Sequence, residues 1–250
     1  MKVGIVGYGR FGKLLARLLN PDFELKIVDA NPENSTELED SSELAKPNDL
    51  SDCKYIFLAV PIAGFEDALV EVLPHISESG TLIDVCSVKD FPYKLMQKHV
   101  KNCRFLATHP LFGPDSVNGG LKGLKMAICG GNDKQAEKFW SDYWQGKGLE
   151  IINTTPKNHD HDIIYSLGLT QTIARLIGRM QTPELTLTTK NFDAVNAVLK
   201  LSLSDTDQLY HDMLHFNPYF GEMYEKFTDA SVETASHLKQ ILSEGPYSKL

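Results

Sequence analysis

No stretch of the sequence approaches the ~20 consecutive apolar residues that a membrane-spanning helix needs. The apolar run at residues 1–6 is too short for a secretory leader and runs straight into glycines. The expectation is a soluble, unprocessed chain in the cytoplasm, with no membrane partner. Cysteine is sparse: Cys53, Cys86, Cys103 and Cys129 stand singly in apolar segments, with neither a CxxC pair nor metal-ligand spacing. That argues against a disulfide framework and a metal site, and the four read as buried free thiols in a reducing compartment. Positive charge is also short, with 25 Lys and Arg against 33 Asp and Glu and a net charge of -8. Nucleic acid and anionic membranes, which reward clustered cations, are therefore not expected partners. Internal repeats and low-complexity tracts are absent as well. What the sequence does have is core: 42% of its 250 residues are hydrophobic, enough for one large domain or two modest ones.

The first part alternates short β-branched runs with amphipathic stretches, the pattern of a mostly parallel, doubly wound sheet covered by helices. Strands are expected at residues 3–6, 25–28, 55–60, 81–85, 105–107 and 125–129, with 149–152 as a last candidate. Helical spacing marks residues 11–19, 65–73 and 134–144. Residues 31–52, rich in Pro, Asn, Ser and acidic side chains, read as a solvated loop. The character changes at Thr154-Thr155-Pro156. Beyond it only helical patterns appear, broken at Gln181-Thr182-Pro183 and Phe216-Asn217-Pro218. Thr155 is placed to cap a helix with Pro156 at its first position. The expected division is residues 1–154 as an α/β nucleotide-binding domain and 155–250 as an all-helical domain.

Gly7-Tyr8-Gly9-Arg10-Phe11-Gly12 fits GxGxxG directly after a strand and at the start of a helix, the context that distinguishes a Rossmann dinucleotide fingerprint from a chance glycine turn. Gly7 permits the turn, Gly9 admits the pyrophosphate and Gly12 lets the helix pack on the sheet. The phosphates would then face free N–H groups at the helix N-terminus. Arg10 either helps them or is solvated. Asp29, about twenty residues on at the end of the second strand, suits hydrogen bonds from adenosine ribose hydroxyls and would repel a 2′-phosphate, which favours NAD over NADP. Ala59, Val60 and Pro61 close another strand with small apolar residues, as expected beside the nicotinamide ribose. Ser87, in Asp84-Val85-Cys86-Ser87-Val88-Lys89, and His109, in Thr108-His109-Pro110, follow two further strands on the same sheet edge. A hydroxyl and an imidazole there suit removal of a proton from a substrate hydroxyl.

Taken in order, GYGRFG, LAVP, DVCSVK, THPLFGP and NHDHD resemble the prephenate/arogenate dehydrogenase family of tyrosine biosynthesis over nearly the whole chain. The resemblance implies NAD-dependent oxidation of a cyclohexadienyl acid with loss of CO2, giving 4-hydroxyphenylpyruvate from prephenate or tyrosine from arogenate. It implies that His109 draws the proton from the ring hydroxyl, and that Ser87 shares that hydroxyl or orients His109. It places Asn158-His159-Asp160-His161-Asp162 beside the cofactor cleft. It also implies a homodimer formed through the apolar stripes at residues 195–214 and 220–242, which otherwise read as internal core. No mutase-like segment is expected before the glycines and no ACT-type regulatory domain after residue 250.

Two positions depart from the family pattern. Gln171 stands where many members have a substrate-binding histidine, and Leu201 where an arginine grips the ring carboxylate, while Tyr210 keeps a usual aromatic; the resemblance implies Gln171 and Tyr210 as substrate contacts beside Ser87 and His109. Losing a forked, charge-assisted contact is not a conservative change. Lys200, Arg175 and Lys89 are the cations available to replace it, Arg175 sharing a helix face with Gln171. The departures leave two other readings open: a dehydrogenase or imine reductase acting on another small acid, and an NAD-binding paralogue without turnover.

Overall fold

The computed structural model describes residues 1–31, 38–117 and 119–246. Its first part runs β1 (Lys2–Val6), α1 (Arg10–Leu19), β2 (Glu24–Val28), β3 (Ser42–Leu44), β4 (Tyr55–Leu58), α2 (Phe65–Val72), β5 (Thr81–Asp84), α3 (Asp90–His99), β6 (Arg104–Pro110), β7 (Lys125–Gly131), α4 (Lys134–Gly146) and β8 (Glu150–Asn153). The eight strands form one sheet in the order β3-β2-β1-β4-β5-β6-β7-β8. Every neighbouring pair is parallel except β6 with β7. The expected strands are all present.

One strand and one helix of this part, β3 and α3, were not expected. The segment read as a loop contains β3 and a 3-10 turn at Pro47–Asp52, while residues 32–37 of it lie outside the described residues. β3 is a three-residue edge strand with little buried side chain, so it leaves no apolar alternation to detect. The helix α3 carries Pro92 in its first turn, where no intrahelical N–H bond is lost, and buries Leu95 and Met96.

Burial explains why the sheet folds this way. One face packs Leu14, Leu15 and Leu19 of α1 and Trp140 and Trp144 of α4 on Val3, Ile5, Leu25, Ile27 and Phe57. Trp140 is the hub, with its ring centroid 4.9 Å from Phe57, 5.3 Å from Tyr55 and 5.6 Å from Phe23. The other face packs α2 and α3 on Ile56, Leu58, Leu82 and Phe105, and the same cluster takes in Ile164, Met213, Leu214 and Met223 from the second half of the chain.

That half is helical among the described residues: α5 (Pro156–Ile163), a π-helical turn at Ile164–Gly168, α6 (Leu169–Arg179), α7 (Lys190–Ser202), α8 (Asp207–His215) and α9 (Phe220–Glu244). Thr155 caps α5 as expected, its hydroxyl accepting from the Asn158 N–H, and Thr189 and Thr206 cap α7 and α8 in the same way. No helix among the described residues is long and apolar enough to cross a membrane.

Trp140→Ala would empty the most crowded part of the core. We expect a loss of about 3–5 kcal/mol in unfolding free energy, read from the denaturant midpoint by far-UV circular dichroism.

Candidate active site

The sheet order reverses at β1, which has β2 on one side and β4 on the other. Open α/β sheets hold ligands in the crevice beyond the strand ends at such a point. Gly7 occupies it at φ +94°, its N–H donating to the Val28 carbonyl at 2.8 Å, and an added Cβ would lie 2.5 Å from the Ala59 carbonyl oxygen. At Gly12 an added Cβ would come within 2.1 Å of the Gly7 carbonyl oxygen, so only glycine lets α1 approach this closely. Gly9 differs: among the described residues nothing lies within 4 Å of the space a Cβ would take, and no side chain caps α1 there. An open cradle with uncapped N–H groups fits a pyrophosphate.

The other fingerprint residues divide. Phe11, Ala59, Val60 and Pro61 line the adjoining cleft. The Tyr8 ring is buried, and the Tyr8 backbone N–H donates to the Asp29 carboxylate, whose other oxygen accepts from the Asn31 N–H at 2.7 Å. Asp29 is thereby fixed at the end of β2. Arg10 neither stands free over the cradle nor is simply solvated. It donates to the Ser204 carbonyl at 2.8 Å and to Asp115 Oδ2 at 2.6 Å, which also accepts from the Ser204 hydroxyl at 2.8 Å. The glycine loop is thus bridged to the helical half.

The cleft encloses about 670 Å³, between the strand ends and α5, α6, α7 and α8. Ser87 and His109 share its floor. A register shift between Leu106 and Thr108, opposite β7, re-aims the end of β6 just before His109. Among the described residues the buried Ser87 hydroxyl has no hydrogen-bond partner, as expected of a group that awaits one from a ligand. His109 Nδ1 lies 2.9 Å from His159 Nε2, and His159 Nδ1 lies 2.8 Å from Asp160 Oδ1. The Asp160 carboxylate also accepts the N–H groups of Lys89 (2.7 Å) and Asp90 (2.8 Å), so a residue of α5 caps α3. Burial holds the His109 pKa well below its usual 6.5, with His159 and Lys89 acting in the same direction. Burial lowers His159 too, against the opposing pull of Asp160. Both imidazoles are therefore neutral at neutral pH.

The NHDHD run splits. His159 and Asp160 turn inward, whereas His161 and Asp162 pair on the surface. Asp160 thus serves the N-terminus of α3 rather than that of its own helix.

Opposite the strand ends, Gln171 is buried and donates through Nε2 to Asp205 Oδ2 at 2.6 Å. The cations named for the missing arginine are all occupied or elsewhere. Lys89 is fully buried, with Nζ on the Asp84 carboxylate and, at 2.6 Å, the Thr108 carbonyl. Arg175 lies 4.0 Å over the Tyr210 ring, pairs with Asp207 at 3.2 Å and donates to Gln171 Oε1 at 3.4 Å. Lys200 is exposed outside the cleft lining, while its neighbour Leu201 is in it. Tyr210, named as a substrate contact, is not among the lining residues; its hydroxyl lies 2.9 Å from the Thr172 hydroxyl. Among the described lining residues Arg10 is the one Lys or Arg, against three carboxylates, Asp115, Asp205 and Asp212.

Sequence reasoning missed Asp205 and Asp212. Asp205 directly precedes the capping residue of α8, and Asp212 lies within α8 and accepts from Gln208 at 2.7 Å. Both look like ordinary helix chemistry in sequence.

A family model described as prephenate dehydrogenase, nucleotide-binding domain, matches residues 21–152, starting after the glycine loop. Arogenate dehydrogenase 1, chloroplastic, of Arabidopsis thaliana is 26% identical over 243 residues, covering 91% of this chain and 37% of that protein. The "Probable arogenate/prephenate dehydrogenase" of Methanocaldococcus jannaschii is 28% identical, covering 96% of this chain and 57% of that protein. The chain thus spans less than two thirds of the length of either relative. Among solved structures, prephenate dehydrogenase from Aquifex aeolicus in complex with hydroxyphenyl propionate and NAD+ superposes with a TM-score of 0.72 at 22% identity, covering 98% of this chain and 91% of that one.

Two outcomes follow from this geometry. Gly12→Ala forces α1 off the sheet, and calorimetric titration should show dinucleotide binding lost while the protein remains folded. The second concerns acid. The unfolded chain takes up protons on its histidines near 6.5, but His109 and His159 resist them when folded. Stability is then lost as pH falls from about 6.5 towards the depressed folded values. Denaturant midpoints measured across that window should fall less steeply in His109→Asn than in the unaltered protein.

Proposed function

The chain belongs to the prephenate dehydrogenase family, and we propose that it catalyses NAD-dependent oxidation and decarboxylation of a cyclohexadienyl acid in tyrosine biosynthesis, with arogenate favoured over prephenate. The observation that carries this reading is the pairing on the cleft floor of a neutral, buried His109 with the unpartnered hydroxyl of Ser87. The residues present fit the cofactor: the Gly7–Gly12 cradle suits the pyrophosphate, Asp29 the adenosine ribose, and Ala59, Val60 and Pro61 the nicotinamide side. When bound, NAD supplies the acceptor for the two electrons that leave the ring.

This chain's own part is positioning and proton removal. Ser87 holds the ring hydroxyl. The Nδ1 edge of His109 is taken by His159, so Nε2 is the edge that meets the substrate and accepts its hydroxyl proton. Loss of CO2 then leaves an aromatic ring, which makes the step favourable.

The preference for arogenate rests on charge. Both acids bring two carboxylates, but arogenate carries an ammonium where prephenate has a keto group. A wall of Gln171 and Asp205 beside Asp212 offers an ammonium acceptors and charge that a keto group cannot use. Burial pushes the Asp205 carboxyl pKa up, with Arg10 and Arg175 opposing, and an arriving cation favours its charged form.

The remaining features support residues 1–154 as the nucleotide-binding domain and 155–250 as the substrate domain, in a cytoplasmic homodimer. The thiols of Cys53, Cys86, Cys103 and Cys129 are buried and unpaired, consistent with a reducing compartment. Helix α7 has no buried residue, and α9 buries one of 25, Met223, although both carry apolar stripes. Between α6 and α7 an apolar groove lined by Ile173, Ile177, Val195 and Val198 lies open. A second copy of the chain suits these faces; sedimentation analysis should return twice the chain mass, and a monomer would refute it.

A side-by-side assay of arogenate and prephenate with NAD and NADP, followed by nicotinamide absorbance, tests the function. Turnover should be highest with arogenate and NAD, and Asp205→Asn should narrow the preference by roughly tenfold, the effect of about 1.4 kcal/mol. His109→Asn should lose turnover roughly 10²-fold or more with NAD affinity kept. A folded, NAD-binding protein that oxidises neither acid would refute the proposal and leave the non-catalytic paralogue.

A further inference from the structure

Beneath the cleft floor runs a line of three side chains drawn from both halves of the chain. His109 comes from β6, His159 and Asp160 from α5, and none is more than 7% exposed. The contacts are 2.9 Å between the two imidazoles and 2.8 Å from the second imidazole to the carboxylate. We infer that His159 and Asp160 are positioning residues for the reaction, which hold His109 in the one tautomer that presents a bare Nε2 to the substrate.

The argument follows protons along the line. A carboxylate only accepts hydrogen bonds. Asp160 is engaged by the backbone N–H groups of Lys89 and Asp90 besides the His159 ring, and is anchored at the N-terminus of α3. His159 Nδ1 must therefore carry the proton it shares with Asp160. In a neutral imidazole the other nitrogen is then an acceptor, so His159 Nε2 can only receive from His109. That places the proton of neutral His109 on Nδ1 and leaves the lone pair on Nε2, facing the cleft. The opposite arrangement would set a bare nitrogen of His159 against the carboxylate and turn an N–H of His109 towards the substrate hydroxyl, which abolishes the base.

The same line bears on the charge that follows. When the substrate O–H bond breaks and Nε2–H forms, His109 becomes an imidazolium in a buried place. The charged groups around it are Lys89, which disfavours that charge, with Asp84 paired behind the lysine, and Asp160, which favours it through His159. The Nδ1 proton stays in the bond to His159, and the carboxylate offsets the positive charge without taking the proton. Orientation and charge compensation are the roles an acidic residue plays behind a catalytic imidazole elsewhere.

The catalytic meaning of this arrangement rests on the proposed dehydrogenase reading, but the tautomer does not, so the test reads both. Nitrogen NMR of the NAD-bound protein with 15N-labelled histidine, assigned with His109→Asn, should show His109 protonated at Nδ1 and bare at Nε2. His159→Gln keeps an acceptor for His109 and a donor for Asp160; His159→Leu keeps neither. We expect kcat within about threefold of the unaltered enzyme for Gln and a loss of roughly 10²-fold for Leu, with the substrate KM and NAD Kd of both within about twofold. The required tautomer in a protein that oxidises neither acid supports the arrangement and refutes the function alone. A His109 protonated at Nε2 overturns the inference, as does a His159→Leu enzyme with undiminished kcat. Equal losses in kcat for Gln and Leu, accompanied by weakened NAD binding, also overturn it by showing a merely structural role.

Discussion

The arrangement of the cleft depends on one carboxylate. Asp160 reaches from the first helix after the sheet into the N-terminus of α3, where it takes two backbone N–H groups that no intrahelical partner can satisfy. A buried anion costs several kcal/mol unless it is hydrogen-bonded, so the acceptor and its donors must stay together. The two halves of the chain are thereby set in register at the very point where Ser87 and His109 leave the sheet. Asn217 tightens the same joint by donating to the Asp160 carbonyl at 2.9 Å, which ties the loop between α8 and α9 to it. Close by, Lys89 joins the Asp84 carboxylate to the Thr108 carbonyl, so the ends of β5 and β6 cannot drift apart.

Seen from this joint, the cleft is a polar floor with an acidic rim. In the proposed reaction the floor carries the neutral groups that exchange a proton, while Asp205 and Asp212 sit towards the helices, where they would meet the rest of the substrate. Separating the two keeps the rim carboxylates from favouring a proton-bound imidazole before the substrate arrives. It also gives the arrangement a coherent answer to the missing arginine. A site without a cation for the carboxylates can still gain selectivity from carboxylates of its own that an ammonium, and not a keto group, would meet.

Much of this was legible in the sequence, because the informative residues act through local backbone. GYGRFG follows a strand and precedes a helix, and its glycines are needed for clashes that the backbone alone would cause. Ser87 follows β5 and His109 lies at the end of the neighbouring β6, so topology brings them together. What stayed hidden depends on tertiary partners. Nothing near Asp160 in sequence says that it caps a different helix, and nothing near Lys89 says that it is buried on Asp84. Asp205 and Asp212 look like residues of a capped, solvated helix until α8 is seen against the cleft. The short edge strand β3 had no side-chain pattern to betray it, since a strand's signal is burial on one face.

The wide turn at Ile164–Gly168 has a bearing on how such a site changes over generations. A π turn holds one residue more than an α turn, and here it lies between His159 and Gln171. The extra residue is taken up inside the turn, so what lies beyond it keeps its face: Gln171 meets Asp205 while His159 meets His109 below. A helix can therefore gain or lose one codon at this point and still hold both contacts, which lets a lineage change chain length between them without rebuilding either.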